Sequence, residues 1–103
     1  METIPAVTVD RVPSPLPEGL TVLDVREPVE WQQAHVPGSL HIPLGELSSR
    51  LDELPDAQLL VVCAIGARSA RAVHYLVERG HDAVNLVGGL AEWQESGREL
   101  VTG

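Results

Sequence analysis

Apolar positions along the chain fall into short runs separated by polar, glycine-rich and proline-rich breaks. Four runs read as strands: LTVLDV at 20–25, SLHIP at 39–43, QLLVVC at 58–63 and DAVNLV at 82–87. The third has no polar alternation after Gln58, the pattern of a strand buried on both faces. Helical segments lie between them. In EPVEWQQAHVPG (27–38), Pro28 suits a helix start and Pro37-Gly38 a stop. In LGELSSRLDELP (44–55), Leu44, Leu47, Leu51 and Leu54 recur at helical spacing until Pro55. ARSARAVHYLVERG (67–80) predicts a helix with Ala72, Val73, Leu76 and Val77 inward and Gly80 as its cap. GGLAEWQESG (88–97) predicts a last helix that Gly97 ends. Residues 1–19 read as a shortened N-terminal strand followed by a connector, PSPLPEG at 13–19, too rich in proline for a helix interior.

Short Val/Leu strands alternating with helices predict a three-layer α/β/α domain around a mostly parallel sheet. Ligands of such sheets bind beyond the C-terminal strand ends. Three loops leave strands there: REPVEW after the first, CAIGARS after the third and the Gly88-Gly89 pair after the fourth. They are expected to converge on one residue, Cys63.

Composition narrows the field. The chain has 103 residues, enough for one domain spanning 1–103, and without Phe its core must be mainly Val and Leu. The formal charge is −8, and all seven cations are arginines. That balance argues against nucleic acid as a partner. No apolar run approaches the roughly 18 residues of a membrane span. A single cysteine rules out an intramolecular disulfide and suits a reducing compartment, so a cytoplasmic protein is expected. Four histidines without ligand spacing, beside one cysteine, give no basis for a metal site.

An isolated cysteine after a strand is more often a small buried hydrophobe than a nucleophile. The residues after Cys63 reverse those odds. Ala64, Ile65, Gly66 and Ala67 allow the chain to curl, Gly66 is free to take a positive φ, Arg68 adds a cation, and Ser69 can cap the next helix. Amide groups of a curled loop at a helix N-terminus stabilise an anion, and a thiolate is the reactive form of cysteine. Because the site lies in a loop, Cys63→Ala is expected to leave stability near that of the parent.

The chain resembles the single-domain rhodaneses, a sulfurtransferase family. The resemblance rests on LDVREPVEWQQAHVPGSLHIPL (23–44), VVCAIGARSARAVHYL (61–76) and VNLVGGLAEW (84–93), which cover most of the chain from residue 20 onward. It implies a sheet of about five strands and a Cys63 persulfide. The thiolate would take sulfur from thiosulfate or a persulfide donor, the amides of residues 64–69 would hold it, and a thiol or cyanide would accept it. No cofactor is implied, and a monomer is expected. The resemblance also implies a brace at Asp24, a buried ion pair for Arg26, and a structural hydrogen bond for His35. The family's usual helix before the LDV strand is expected to be lost or reduced to a turn.

Glu27 and Trp31 are expected to face the pocket, Trp31 more as rim than as platform. Arg71 either lines the pocket mouth or is solvated, and Gly88 and Gly89 are expected to allow close backbone approach near the thiol. Arg11, Arg50, Arg79 and Arg98 are read as balancing surface carboxylates. Two rival readings stand beside the enzyme. One is a sulfur-carrier or regulatory module that passes sulfur to a relay protein. The other, less favoured, is a cysteine-dependent phosphatase or arsenate reductase, whose cradle places five residues between Cys and Arg; here four, AIGA, separate Cys63 from Arg68.

Overall fold

The computed structural model describes residues 3–103. Five strands form one sheet: β1 (Ala6–Val7), β2 (Leu20–Asp24), β3 (Leu40–His41), β4 (Gln58–Val62) and β5 (Ala83–Leu86). Their order is β1-β5-β4-β2-β3, and every pairing is parallel. The helices are α1 (Pro28–Gln33), α2 (Ala67–Glu78) and α3 (Gly89–Glu95).

The run of apolar residues in β4 has a simple cause. Side chains alternate across a strand, so a central strand covered on both faces needs apolar residues at every position. Leu59, Val61 and Cys63 pack with Ala72, Val73 and Leu76 of α2 and with Leu23, Ile42 and Leu47. Leu60 and Val62 face the other way, into a cluster with Leu86, Leu90 and Trp93. Cys63 therefore continues the α2 side of the strand one step past its end, where α2 begins.

Several elements differ from the sequence expectation. The leucine-spaced segment is not an α-helix but two 3-10 pieces, Leu44–Ser49 and Leu51–Glu53, joined at Arg50. Leu47 is buried, whereas Leu44, Leu51 and Leu54 are only half-buried. All four pack on the same core, Leu47 within it and the other three at its edge, so the spacing marks the buried face without deciding between α and 3-10 turns. Val77 is exposed rather than inward, because the buried stripe of α2 is Ser69, Ala72, Val73 and Leu76. The N-terminal segment keeps one 3-10 turn, Val9–Arg11, and among the described residues no α-helix precedes β2. Arg98 does more than balance charge: it donates to the Val9 and Val12 carbonyls and stacks on Trp93, tying this segment to the end of α3.

At the end of β2, Asp24 is fully buried and grips Arg26. Its carboxylate accepts from the Arg26 backbone N–H at 2.9 Å and from the guanidinium at 2.8–3.1 Å. Arg26 also donates to the Ala34 carbonyl at 2.6 Å, which fixes the loop carrying α1. A buried pair of this kind secures geometry more than it adds net stability.

Candidate active site

The loop from Cys63 to Ser69 closes around the sulfur. Gly66, at φ +108°, is the residue before α2, a conformation other residues resist. This turn directs the Gly66 N–H to Cys63 Sγ at 3.1 Å and the Ser69 N–H to it at 3.3 Å. The Ser69 hydroxyl lies 3.3 Å from the sulfur. Burial pushes the Cys63 thiol up. The Ser69 hydroxyl and the amides of Ser69, Gly66 and Ile65 outweigh it, so the pKa falls below its ordinary 9.0. The N-terminus of the twelve-residue α2 adds to this preference for an anion.

Ser69 does not cap the helix. It lies within the first turn of α2, fully buried, and its hydroxyl donates to Asn85 Oδ1 at 2.6 Å. Asn85 in turn donates through Nδ2 to the Gly66 carbonyl at 3.3 Å, which fixes the amide's orientation. A serine hydroxyl has one hydrogen. While Cys63 keeps its proton, that hydrogen serves Asn85 and the thiol can donate to Ser69; on ionisation it can swing to the sulfur. Ser69→Ala is therefore expected to raise the thiol pKa, read as an alkaline shift in the pH dependence of iodoacetamide alkylation. The surviving amides limit the shift.

The loops after β2 and β5 complete the enclosure. Glu30 in α1 receives Arg68 in a two-pronged ion pair, at 2.7 and 2.9 Å, and also accepts the Glu27 N–H at 3.0 Å. Arg68 is thus not a free cation beside the thiol but a clamp between the starts of α1 and α2. From the other side, Leu90 N–H donates to the Cys63 carbonyl at 2.9 Å and Ala91 N–H to that of Ala64 at 3.0 Å. Gly89 permits this approach, and Gly88, also at positive φ, precedes it as the residue before α3.

The Arg68 partnership holds the Glu30 carboxyl down at about 2, well below its ordinary 4.5. A carboxylate with a depressed folded-state pKa contributes its stability above the unfolded value and loses it as pH falls through the folded one. The pair is about a third exposed, so its contribution is modest. Wild type is expected to lose more stability than Glu30→Gln between pH 4.5 and about 2, as measured by urea unfolding at each pH.

Glu27 lines a cleft of about 560 Å³ beside the loop, together with Arg68, Arg71, Leu44, Leu47 and Tyr75. Trp31 does not line it. Its ring stacks on His35 at 3.6 Å and on His41 at 4.8 Å. The buried His35 hydrogen-bonds the Trp31 carbonyl through Nδ1 at 2.8 Å, and His41 bonds the Arg26 carbonyl through Nε2 at 2.8 Å. Cys63 is only 1% exposed, closed over by its loop, whereas Ile65 at the loop tip is 70% exposed. Among the described residues no group of His, Cys, Asp or Glu is placed to hold a metal ion.

Sequence reasoning missed Glu30 and Asn85. The signal for Glu30 was its spacing of three from Glu27 across the Pro28 helix start, a capping pattern. The signal for Asn85 was a lone amide in an otherwise apolar strand.

The same architecture recurs in solved structures. A rhodanese-related protein from Thermoplasma volcanium superposes with a TM-score of 0.89 at 34% identity, covering 96% of this chain and 99% of that one. The family model of the rhodanese-like domain matches residues 8–96. The chain belongs to the rhodanese-like family. Rhodanese relatives are named for sulfur chemistry. A sulfurtransferase of Allochromatium vinosum is 35% identical over 86 residues, 82% of this chain and 80% of its own length. YrkF of Bacillus subtilis, named as a candidate sulfur carrier, is 41% identical over 78 residues; the match takes in 74% of this chain and 42% of YrkF.

Proposed function

We propose that the protein is a sulfurtransferase that carries sulfane sulfur on Cys63. The observation that supports this most directly is the set of donors aimed at one sulfur atom: two amides within 3.3 Å and a hydroxyl at the same distance. In the first half-reaction the Cys63 thiolate attacks the outer sulfur of a donor. With an organic persulfide R–S–SH, the new S–S bond forms as the old one breaks, giving Cys63–S–SH and R–S⁻. With thiosulfate the leaving group is sulfite and the product is the Cys63–S–S⁻ anion. The loop amides hold the anionic forms, the logic of an oxyanion hole applied to sulfur. In the second half-reaction a thiolate or cyanide takes the outer sulfur and returns Cys63 to thiolate. Two half-reactions through a covalent intermediate predict ping-pong kinetics.

The partnership of Arg68 with Glu30 counts against a phosphatase. An oxyanion cradle needs its arginine to grip the substrate, and here both guanidinium prongs are engaged by a carboxylate. Carriage of sulfur between proteins is a second reading, favoured by the exposed Ile65 at the tip of the loop and by a relative named as a candidate sulfur carrier. Among the described residues no helix is long and apolar enough to cross a membrane, and a lone unpaired thiol suits a reducing, cytoplasmic setting.

Intact mass spectrometry after exposure to thiosulfate and to glutathione persulfide tests the proposal. One added sulfur atom, confined to Cys63 and released by cyanide, is the expected result. A protein that gains none from either donor is not a sulfurtransferase of this kind. Rapid loading that only a protein thiol can discharge would favour the carrier.

A further inference from the structure

The cleft beside the loop is larger than thiosulfate needs and falls within the usual range for small organic ligands, about 300–1,000 Å³. Its floor is apolar, from Leu44, Leu47 and Tyr75. Leu47 shares one packed cluster with Cys63, and Leu44 packs against that cluster, so the floor of the cleft runs up to the nucleophile's own packing. Three charged residues line it: Glu27, Arg68 and Arg71. The two arginines are not equivalent. Arg68 is held by Glu30 through both prongs. Arg71 is exposed, and among the described residues no side chain or backbone group engages its guanidinium. Of the two, Arg71 is therefore the cation that remains free to bind a ligand, and Glu27 supplies the opposite charge.

Resting on the sulfur-transfer reading, we propose that this cleft holds the body of a low-molecular-weight persulfide built on an amino acid or small peptide. Arg71 takes a carboxylate, Glu27 takes the ammonium, the apolar floor carries the carbon skeleton, and the outer sulfur reaches Cys63. Electrostatics favour this class over a small dianion. A chain of net charge −8 repels anions at long range, whereas a ligand with both signs of charge meets one partner for each in the cleft. A planar guanidinium with both prongs free suits a carboxylate in particular. In the sulfur step the Cys63 thiolate takes the outer sulfur of R–S–SH, and R–S⁻ leaves with the electron pair of the broken bond.

The test compares Arg71→Gln with wild type on three donors, with cyanide as acceptor: glutathione persulfide, 2-aminoethyl persulfide, which lacks a carboxylate, and thiosulfate. The expected result is a KM for glutathione persulfide raised about tenfold with kcat unchanged, as for one lost charge-assisted contact, and an unchanged KM for 2-aminoethyl persulfide. Glu27→Gln is expected to raise the KM of both persulfides and not that of thiosulfate. An Arg71→Gln effect equal on the two persulfides, or none on glutathione persulfide, overturns the assignment. A second measurement needs no turnover: titration of S-methylglutathione into Cys63→Ser protein, followed by NMR. Binding that ignores Arg71→Gln also overturns the site. Arg71-dependent binding without any sulfur loading of Cys63 upholds the site and overturns the sulfur-transfer reading beneath it.

Discussion

Cys63→Ser is expected to abolish sulfur transfer, lowering kcat/KM by on the order of a thousandfold or more, because no other thiol exists in the chain to form the persulfide. Serine keeps an oxygen where the sulfur stood, so the Gly66 and Ser69 amides retain an acceptor. A hydroxyl, however, does not ionise at neutral pH and forms no persulfide. Cys63→Ala should be equally inactive but less stable. That departs from what a loop position suggests. Cys63 is packed in the core cluster with Val61, Ala72 and Val73, and its removal strands two buried N–H donors. Each buried donor left without a partner costs about 1–3 kcal/mol. Urea unfolding of the two variants separates these effects: the serine protein near wild type, the alanine protein clearly weaker. Residual transfer by Cys63→Ser at a rate near wild type would show that the nucleophile lies elsewhere.

The fold was legible because its signals are local. β4 announces itself by an unbroken apolar run, and the alternation of Leu59 and Val61 with Leu60 and Val62 between the two core clusters explains why no polar residue interrupts it. The thiol loop was legible for a similar reason, since a glycine beyond a cysteine at a strand end leaves few ways for the chain to turn into a helix. What escaped depends on contacts between segments distant in the sequence. Arg68 reads as a free cation until Glu30, 38 residues earlier, is placed against it. Ser69 reads as a helix cap until Asn85, 16 residues later, takes its hydrogen. The segment at 44–54 has a helical period, and all four of its leucines touch the core, yet it forms 3-10 turns in which only Leu47 is fully buried. Periodicity locates an element, and the partner that buries it decides its form.

Gly89→Ala is expected to be the most damaging single-methyl change near the site. A Cβ at this position would lie 2.5 Å from the Cys63 carbonyl oxygen and 2.6 Å from the carbonyl carbon and oxygen of Ala64. All three are backbone atoms, so no rotamer change relieves the clash. The residue also holds φ +60°, which a side chain resists independently of space. The same short stretch donates the Leu90 and Ala91 amides to those two carbonyls, so α3 cannot retreat without giving up both hydrogen bonds. Overpacking and the left-handed backbone together cost about 3 kcal/mol, a fall in Tm on the order of 15 °C for a chain of this size. The damage should also reach the chemistry. Moving the Ala64 carbonyl rotates the peptide plane that carries the Ile65 N–H, one of the groups that lower the thiol pKa, so the surviving folded protein should show a raised thiol pKa in alkylation against pH. Thermal melting and that alkylation profile, taken on one preparation, check both halves. A Gly89→Ala protein with a wild-type Tm and an unshifted thiol would mean that the thiol loop and the start of α3 are not packed through this contact.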